Sequence, residues 1–212
     1  VALFADGTRT FGRTTTLTVA WPADFKTQTI RIMPLGDSIT QGVMGDKAAY
    51  RGGYRRKLWE KLTAAHYSVD FVGSTTADSG DMADPQHEGH SGWWISHPDK
   101  GIYENILRWS AGILNPHVVL MLIGTNDLGD GNTFKTKIDV LDQLIDRVAV
   151  AHPGAIIIVS PLLERSAGAY ATIQTYFNPF VRDRVLSHQK KGQKVRFWDI
   201  PSYVPLSDMA DQ

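Results

Sequence analysis

The chain has 212 residues, 42% hydrophobic and 21% charged, which excludes a globally disordered polymer and allows one large domain with at most a small appendage. Lys plus Arg and Asp plus Glu both number 22, so the chain as a whole has no basic bias toward nucleic acid and no acidic tail. The absence of cysteine removes disulfides, thiolate nucleophiles and cysteine-ligated zinc, and no apolar run reaches the ~18 residues of a membrane span. In chain order, residues 1–29 read differently from the rest. Thr14-Thr15-Thr16-Leu17-Thr18-Val19-Ala20-Trp21 alternates apolar residues with period two, as a half-buried strand does, and Asp6-Gly7 marks a turn between it and Ala2-Leu3-Phe4. This predicts a β-hairpin extension or the remnant of an accessory β domain. Val1 in place of an initiator Met, with no basic-then-apolar leader, reads as a chain that is processed, cloned or incomplete at its start.

From residue 30 onward, apolar runs alternate with helical patterns. Residues 30–35, 69–72, 118–123, 155–160 and 194–198 are short and rich in β-branched side chains, as strands buried on both faces of a parallel sheet are. Between them, Tyr54, Leu58, Leu62 and Ala65 share one helical face. Ile102, Ile106, Trp109 and Ile113 repeat the pattern, and Phe134, Ile138, Leu141, Leu144, Ile145 and Val148 give the clearest amphipathic helix. Asn178-Pro179 signals a last helix, with Asn178 as N-cap, Phe180, Val181, Val185 and His188 toward the core, and Gly192 as its end. The alternation predicts a three-layer α/β/α sandwich around a five-stranded, mostly parallel sheet. Such folds place their sites at the carboxyl ends of the strands.

The first of these ends carries Gly36-Asp37-Ser38-Ile39-Thr40-Gln41-Gly42. A serine on a tight strand-to-helix turn lifts its hydroxyl above the sheet, where backbone N–H groups can face a developing oxyanion. Gly73 follows the second strand and can bring a bare N–H close to a ligand. Asn126, in Gly124-Thr125-Asn126-Asp127 after the third, can aim its amide into the same crevice. Each is also an ordinary turn residue taken alone.

Taken together and in order, Gly-Asp-Ser-Ile-Thr, Gly73 and Gly-Thr-Asn-Asp resemble the first three sequence blocks of the SGNH (GDSL-type) hydrolase family, over most of the chain from about residue 30. The resemblance implies a flavodoxin-like sheet and a serine esterase. Ser38 is then the nucleophile, and Ser38 N–H, Gly73 N–H and the Asn126 side chain form the oxyanion hole. Asp37 and Asp127 become turn-organising residues, and no cofactor is needed.

His87-Glu88-Gly89-His90-Ser91-Gly92-Trp93 is further similar to a stretch of the acetylxylan-esterase-like carbohydrate esterases. That implies O-acetylated sugars as substrate, with His90, Trp93 and Trp94 near it. The tryptophans have two readings, stacking on sugar faces or pinning a long loop. Asp78, Asp81, Asp84, His87, Glu88, His90 and His97 lie close in sequence without the spacing of a zinc site. An oxygen-ligated structural calcium is the alternative reading of this loop. His66, His117, His152 and His188 fall at element ends or on helix faces and read as structural.

The family's last block is Asp-x-x-His. Asp211 stands at the Asp position, and the histidine position, 214, lies past Gln212. The expectation is a hydrolase domain over residues 30–212, truncated before its catalytic histidine and closing helix. Further polypeptide, or a second chain or fragment, then supplies that histidine; His90 as a substitute base is the other option. The partner expected is a small-molecule or polysaccharide ester, with neither nucleic acid nor membrane, and the type of enzyme is a secreted one. A carbohydrate-binding pseudoenzyme or a lipase or thioesterase on the same scaffold are the competing functions.

Overall fold

A computed structural model of the chain describes residues 10–11, 15–16, 23–43, 51–129, 134–163 and 177–200. Strands β1 (Thr10–Phe11) and β2 (Thr15–Thr16) form a small antiparallel pair. A hairpin is therefore present, but the partner of the Thr-rich strand is Thr10–Phe11. The expected partner, Ala2-Leu3-Phe4, and its Asp6-Gly7 turn lie outside the described residues.

The main sheet contains β3 (Ile30–Gly36), β4 (Val69–Phe71), β5 (Glu88–Gly89), β6 (Val118–Leu122), β7 (Ile156–Val159) and β8 (Val195–Phe197). Its order is β4-β3-β6-β7-β8, every pairing is parallel, and β5 joins the end of β3 beyond β4. This is the flavodoxin-like order, in which the chain reverses its direction of progress at the first strand, here β3. The sheet has six strands rather than the five expected. The extra one is two residues long, and Glu-Gly has no strand-forming signature.

Strand alternation divides the core in two. Met33, Leu35, Val119, Met121, Ile157 and Val159 pack on one face with Ile102 and Ile106 of α3 (Ile102–Ser110), Ile138 to Val148 of α4 (Phe134–Ala151) and Val181 and Val185 of α5 (Asn178–Lys190). Ile30, Ile32, Phe71 and Val118 face the other way, onto Leu58 and Leu62 of α2 (Gly53–Ala64) and onto Phe25. The centres of the expected apolar faces of α2, α3 and α4 are thus buried, whereas Ala65, just past the end of α2, is exposed and the Phe134 side chain lies outside the described residues.

On α5, Val181, Val185 and His188 are buried and Phe180 is half-exposed, so Phe180 is not a core residue. Asn178 also differs from expectation. It lies inside α5, which Phe177 precedes as N-cap, and its side chain is spent elsewhere. Its Oδ1 accepts from Leu162 N–H and its Nδ2–H donates to Leu162 O, both at 2.9 Å. This fastens the segment after β7 to the start of α5. His188 is held between α4 and its own loop by Asp142 (2.9 Å) and Gln193.

Candidate active site

The site begins where β3 stops. Buried Asp37 caps the four-residue helix α1 (Ser38–Gln41), its Oδ1 accepting Ile39 N–H at 3.0 Å. Ser38 is the first residue of that helix and is partly exposed at the sheet's carboxyl edge. A first-turn N–H has no acceptor inside its own helix, so α1 itself does not use the Ser38 N–H. Gly36 lets this turn sit close to β6, because a Cβ there would overlap the Leu122 carbonyl.

Buried Arg55, which the sequence did not single out, and Tyr54, expected only as part of the apolar face of α2, hold α1 from below. The Arg55 guanidinium donates to Thr40 O (2.8 Å) and Gln41 O (2.9 Å), the carbonyls at the C-terminal end of α1. It also reaches Ser79 Oγ (3.1 Å) and Pro85 O (3.2 Å). Burial lowers its pKa to about 10. The Tyr54 hydroxyl lies 3.3 Å from Thr40 Oγ1, and burial raises its pKa to about 12. Arg55 sits among Arg51, Arg56 and Lys57, a run that reads as a solvated cationic face.

Residues 87–93 form a strap that touches the ends of β4, β3 and β6 in turn. His87 pairs with Thr75 across an antiparallel bridge, and its backbone fills the space a Cβ on Gly73 would need. Glu88 and Gly89 pair with Leu35 and Gly36, and His90 N–H donates to Gly36 O at 2.9 Å. Ser91 N–H donates to Gln41 Oε1 at 2.6 Å, and Trp93 O accepts from Asn126 Nδ2–H at 2.7 Å. Gly73, Ser38 and Asn126, each partly exposed, are thereby gathered at one end of the sheet.

The histidines and carboxylates of this region have separate tasks. His87 is fully buried, with Nε2–H donating to Ala77 O (2.8 Å) and Nδ1 accepting Gly89 N–H (3.0 Å). Burial first, and then the Arg55 charge, lower its pKa to about 4. The buried Glu88 carboxylate accepts from Ser74 N–H (2.7 Å), Ser74 Oγ–H (2.8 Å) and His90 Nε2–H (2.7 Å). Asp78 accepts from Gln41, Asp81 pairs with Arg56, and Asp84 accepts Phe71 N–H. Among the described residues, no three His, Asp or Glu side chains converge as a metal site would need.

Asn126 opens a short 3-10 turn after β6 (Asn126–Gly129). Next to it, the buried Asp127 carboxylate accepts Ile95 N–H at 3.0 Å and pairs with Lys137 at 3.6 Å. Consecutive residues of this turn therefore grip Trp93 O and Ile95 N. The Trp93 ring packs with His90 and Trp109, and Trp94 lies beneath the Lys137 ammonium at 5.0 Å. Asp211 lies outside the described residues.

A serine at a helix start, a glycine N–H and a side-chain amide at one end of a parallel sheet are groups that acyl transfer would use. Residues 35–208 match the GDSL-like lipase/acylhydrolase family. A multidomain esterase of Ruminococcus flavefaciens is 36% identical over 135 residues, 56% of this chain, and the match spans only 17% of that protein's length. The solved structure of a Clostridium thermocellum family 3 carbohydrate esterase is 34% identical with a TM-score of 0.69, over 82% of this chain and 80% of that one. A serine-to-alanine mutant of an acetyl esterase, solved with an acetate ion, is 27% identical with a TM-score of 0.63, over 80% and 79% of the two chains.

Proposed function

Because the chain belongs to the GDSL-like lipase/acylhydrolase family, we propose that it is a serine esterase that removes O-acetyl groups from carbohydrate. Ser38 Oγ attacks the ester carbonyl carbon, and the carbonyl oxygen becomes an oxyanion facing Ser38 N–H, Gly73 N–H and the Asn126 amide. The sugar alcohol leaves with a proton, and water then attacks the acetyl-serine to release acetate. In this reading the base is a histidine oriented by Asp211, and no cofactor takes part. A polysaccharide substrate further implies work outside the cell.

The observation that carries the reading is the strap of residues 87–93, bonded to the turn of Ser38, bonded through Trp93 O to the Asn126 amide, and packed on Gly73. Support for the acetyl and carbohydrate part comes from the carbohydrate esterase and acetyl esterase neighbours. The test uses the full-length protein with p-nitrophenyl acetate and acetylated xylan. Ser38→Ala should abolish turnover with an unchanged melting temperature, and Asn126→Ala should lower kcat about 100-fold. Turnover surviving in Ser38→Ala overturns the nucleophile, and a loss below about threefold in Asn126→Ala removes it from the oxyanion hole.

A further inference from the structure

Asn126 is useful to an oxyanion only if its amide cannot turn away. A primary amide carries two N–H bonds fixed in one plane, so engaging one of them sets the direction of the other. Trp93 O takes one, at 2.7 Å. The question becomes what holds Trp93.

Its neighbours answer on two sides. Trp93 N–H donates to His90 O at 3.2 Å across the turn His90-Ser91-Gly92-Trp93, with Gly92 at φ 75° in the third position, as a type II turn requires. The His90 ring lies 4.9 Å from the Trp93 ring and stacks on Trp109 at 4.2 Å, the planes 21° apart. Trp109 in turn lies 4.9 Å from Trp93, which closes a three-ring cluster. His90 is itself tethered, because Nε2–H donates at 2.7 Å to Glu88, a carboxylate with no exposed surface that Ser74 also holds with two bonds. A His ring that is bonded, stacked and mostly covered has little left to offer a sugar.

We propose that His90, fixed by Glu88, is a positioning residue for Asn126: it wedges Trp93 so that the Trp93 carbonyl engages one amide hydrogen and leaves the other directed at the acyl oxygen. This assigns His90 and Glu88 to the oxyanion hole's support rather than to substrate or metal binding. It rests on the esterase reading of Ser38 and Asn126. Its effect should fall on the transition state, since the oxyanion exists only there.

A double-mutant cycle on the full-length protein tests it, with p-nitrophenyl acetate as substrate. His90→Ala should lower kcat about 10- to 100-fold with KM within about twofold. In the Asn126→Ala background the same substitution should cost less than about threefold, because the group it positions is gone. His90→Phe keeps a ring between the indoles but donates nothing to Glu88. It serves where His90→Ala does not fold, and should show a smaller loss with the same dependence on Asn126. Losses that multiply across the cycle, a raised KM at constant kcat, or wild-type kinetics in both His90 variants each overturn the proposal. Ser38→Ala is measured alongside. Turnover surviving there overturns the esterase reading, whereas an inactive Ser38→Ala with multiplying losses overturns the positioning role alone.

Discussion

His87 shows how a residue with ligand chemistry can be spoken for by the backbone. Nε2–H donates to one carbonyl and Nδ1 accepts one N–H, so the neutral ring is fully satisfied, while protonated Nδ1 would confront the Gly89 N–H. Its pKa of about 4, against an ordinary 6.5, follows from burial and the nearby Arg55 charge. Between these values the unfolded chain binds the proton that the folded one refuses. Stability is therefore full above pH 6.5 and falls as the pH drops toward 4, by roughly 3 kcal/mol if His87 acts alone. His152, also lowered by burial, adds in the same direction. Urea midpoints measured from pH 7 to pH 4 should fall, and the fall should shrink in His87→Gln. An unchanged pH dependence in that variant would show that His87 titrates normally. The sequence placed this residue in an acidic loop beside six other potential ligands. Nothing there revealed that Ala77 and Gly89 would come to its ring, because those partners are backbone groups with no signature of their own.

Among the elements, α1 is the least able to stand alone, since one turn of helix has almost no intrinsic stability. Its N-terminus is capped by Asp37 and its C-terminal carbonyls by Arg55. The first support was legible only in that the family resemblance implies a turn-organising Asp37; the second was not legible at all. Arg55 follows Tyr54 on α2 and points under α1, an orientation that the helical spacing of Leu58 and Leu62 does not distinguish from a solvent-facing arginine. Arg55→Met keeps the stem and removes four donated bonds, to Thr40 O, Gln41 O, Ser79 Oγ and Pro85 O. Relief from burying a cation offsets part of this, but acceptors left without donors cost about 1–3 kcal/mol each. The net loss should be about 3 kcal/mol by urea denaturation, with kcat falling further than stability alone explains. A loss below about 1 kcal/mol would mean that α1 is held by its packing. The same limit on legibility applies to β5. Long apolar strands announce themselves through burial on both faces, and the five read from sequence fall within two residues of their observed ends. Glu88-Gly89 is a strand only because Gly36 and Leu35 offer an open edge beyond β4.

At the scale of the whole molecule, the sheet converts distant sequence blocks into one locus. Ser38 and Asn126 follow adjacent strands, and the 87–93 strap crosses from Gly73 past Gly36 to Asn126. The convergence of the three blocks was readable because parallel strands put their carboxyl ends on one side of the sheet; the strap's bonds were not, since most run through main-chain atoms. Charge is the other global property. The 22 basic and 22 acidic residues balance, and at the site Glu88 is hydrogen-bonded to His90 while Asp127 is paired with Lys137. The proposed substrate, a neutral acetylated sugar, brings no charge of its own, so its association should depend on shape, stacking and hydrogen bonds. Salt screens exposed charges beyond about 10 Å at 0.1 M and leaves such contacts nearly untouched. KM for a neutral acetylated xylo-oligosaccharide should therefore change by less than about twofold between roughly 0.05 and 0.5 M NaCl. A rise beyond about fivefold would show that a local charged surface captures the substrate despite the overall balance, and that the ester recognised carries charge of the opposite sign.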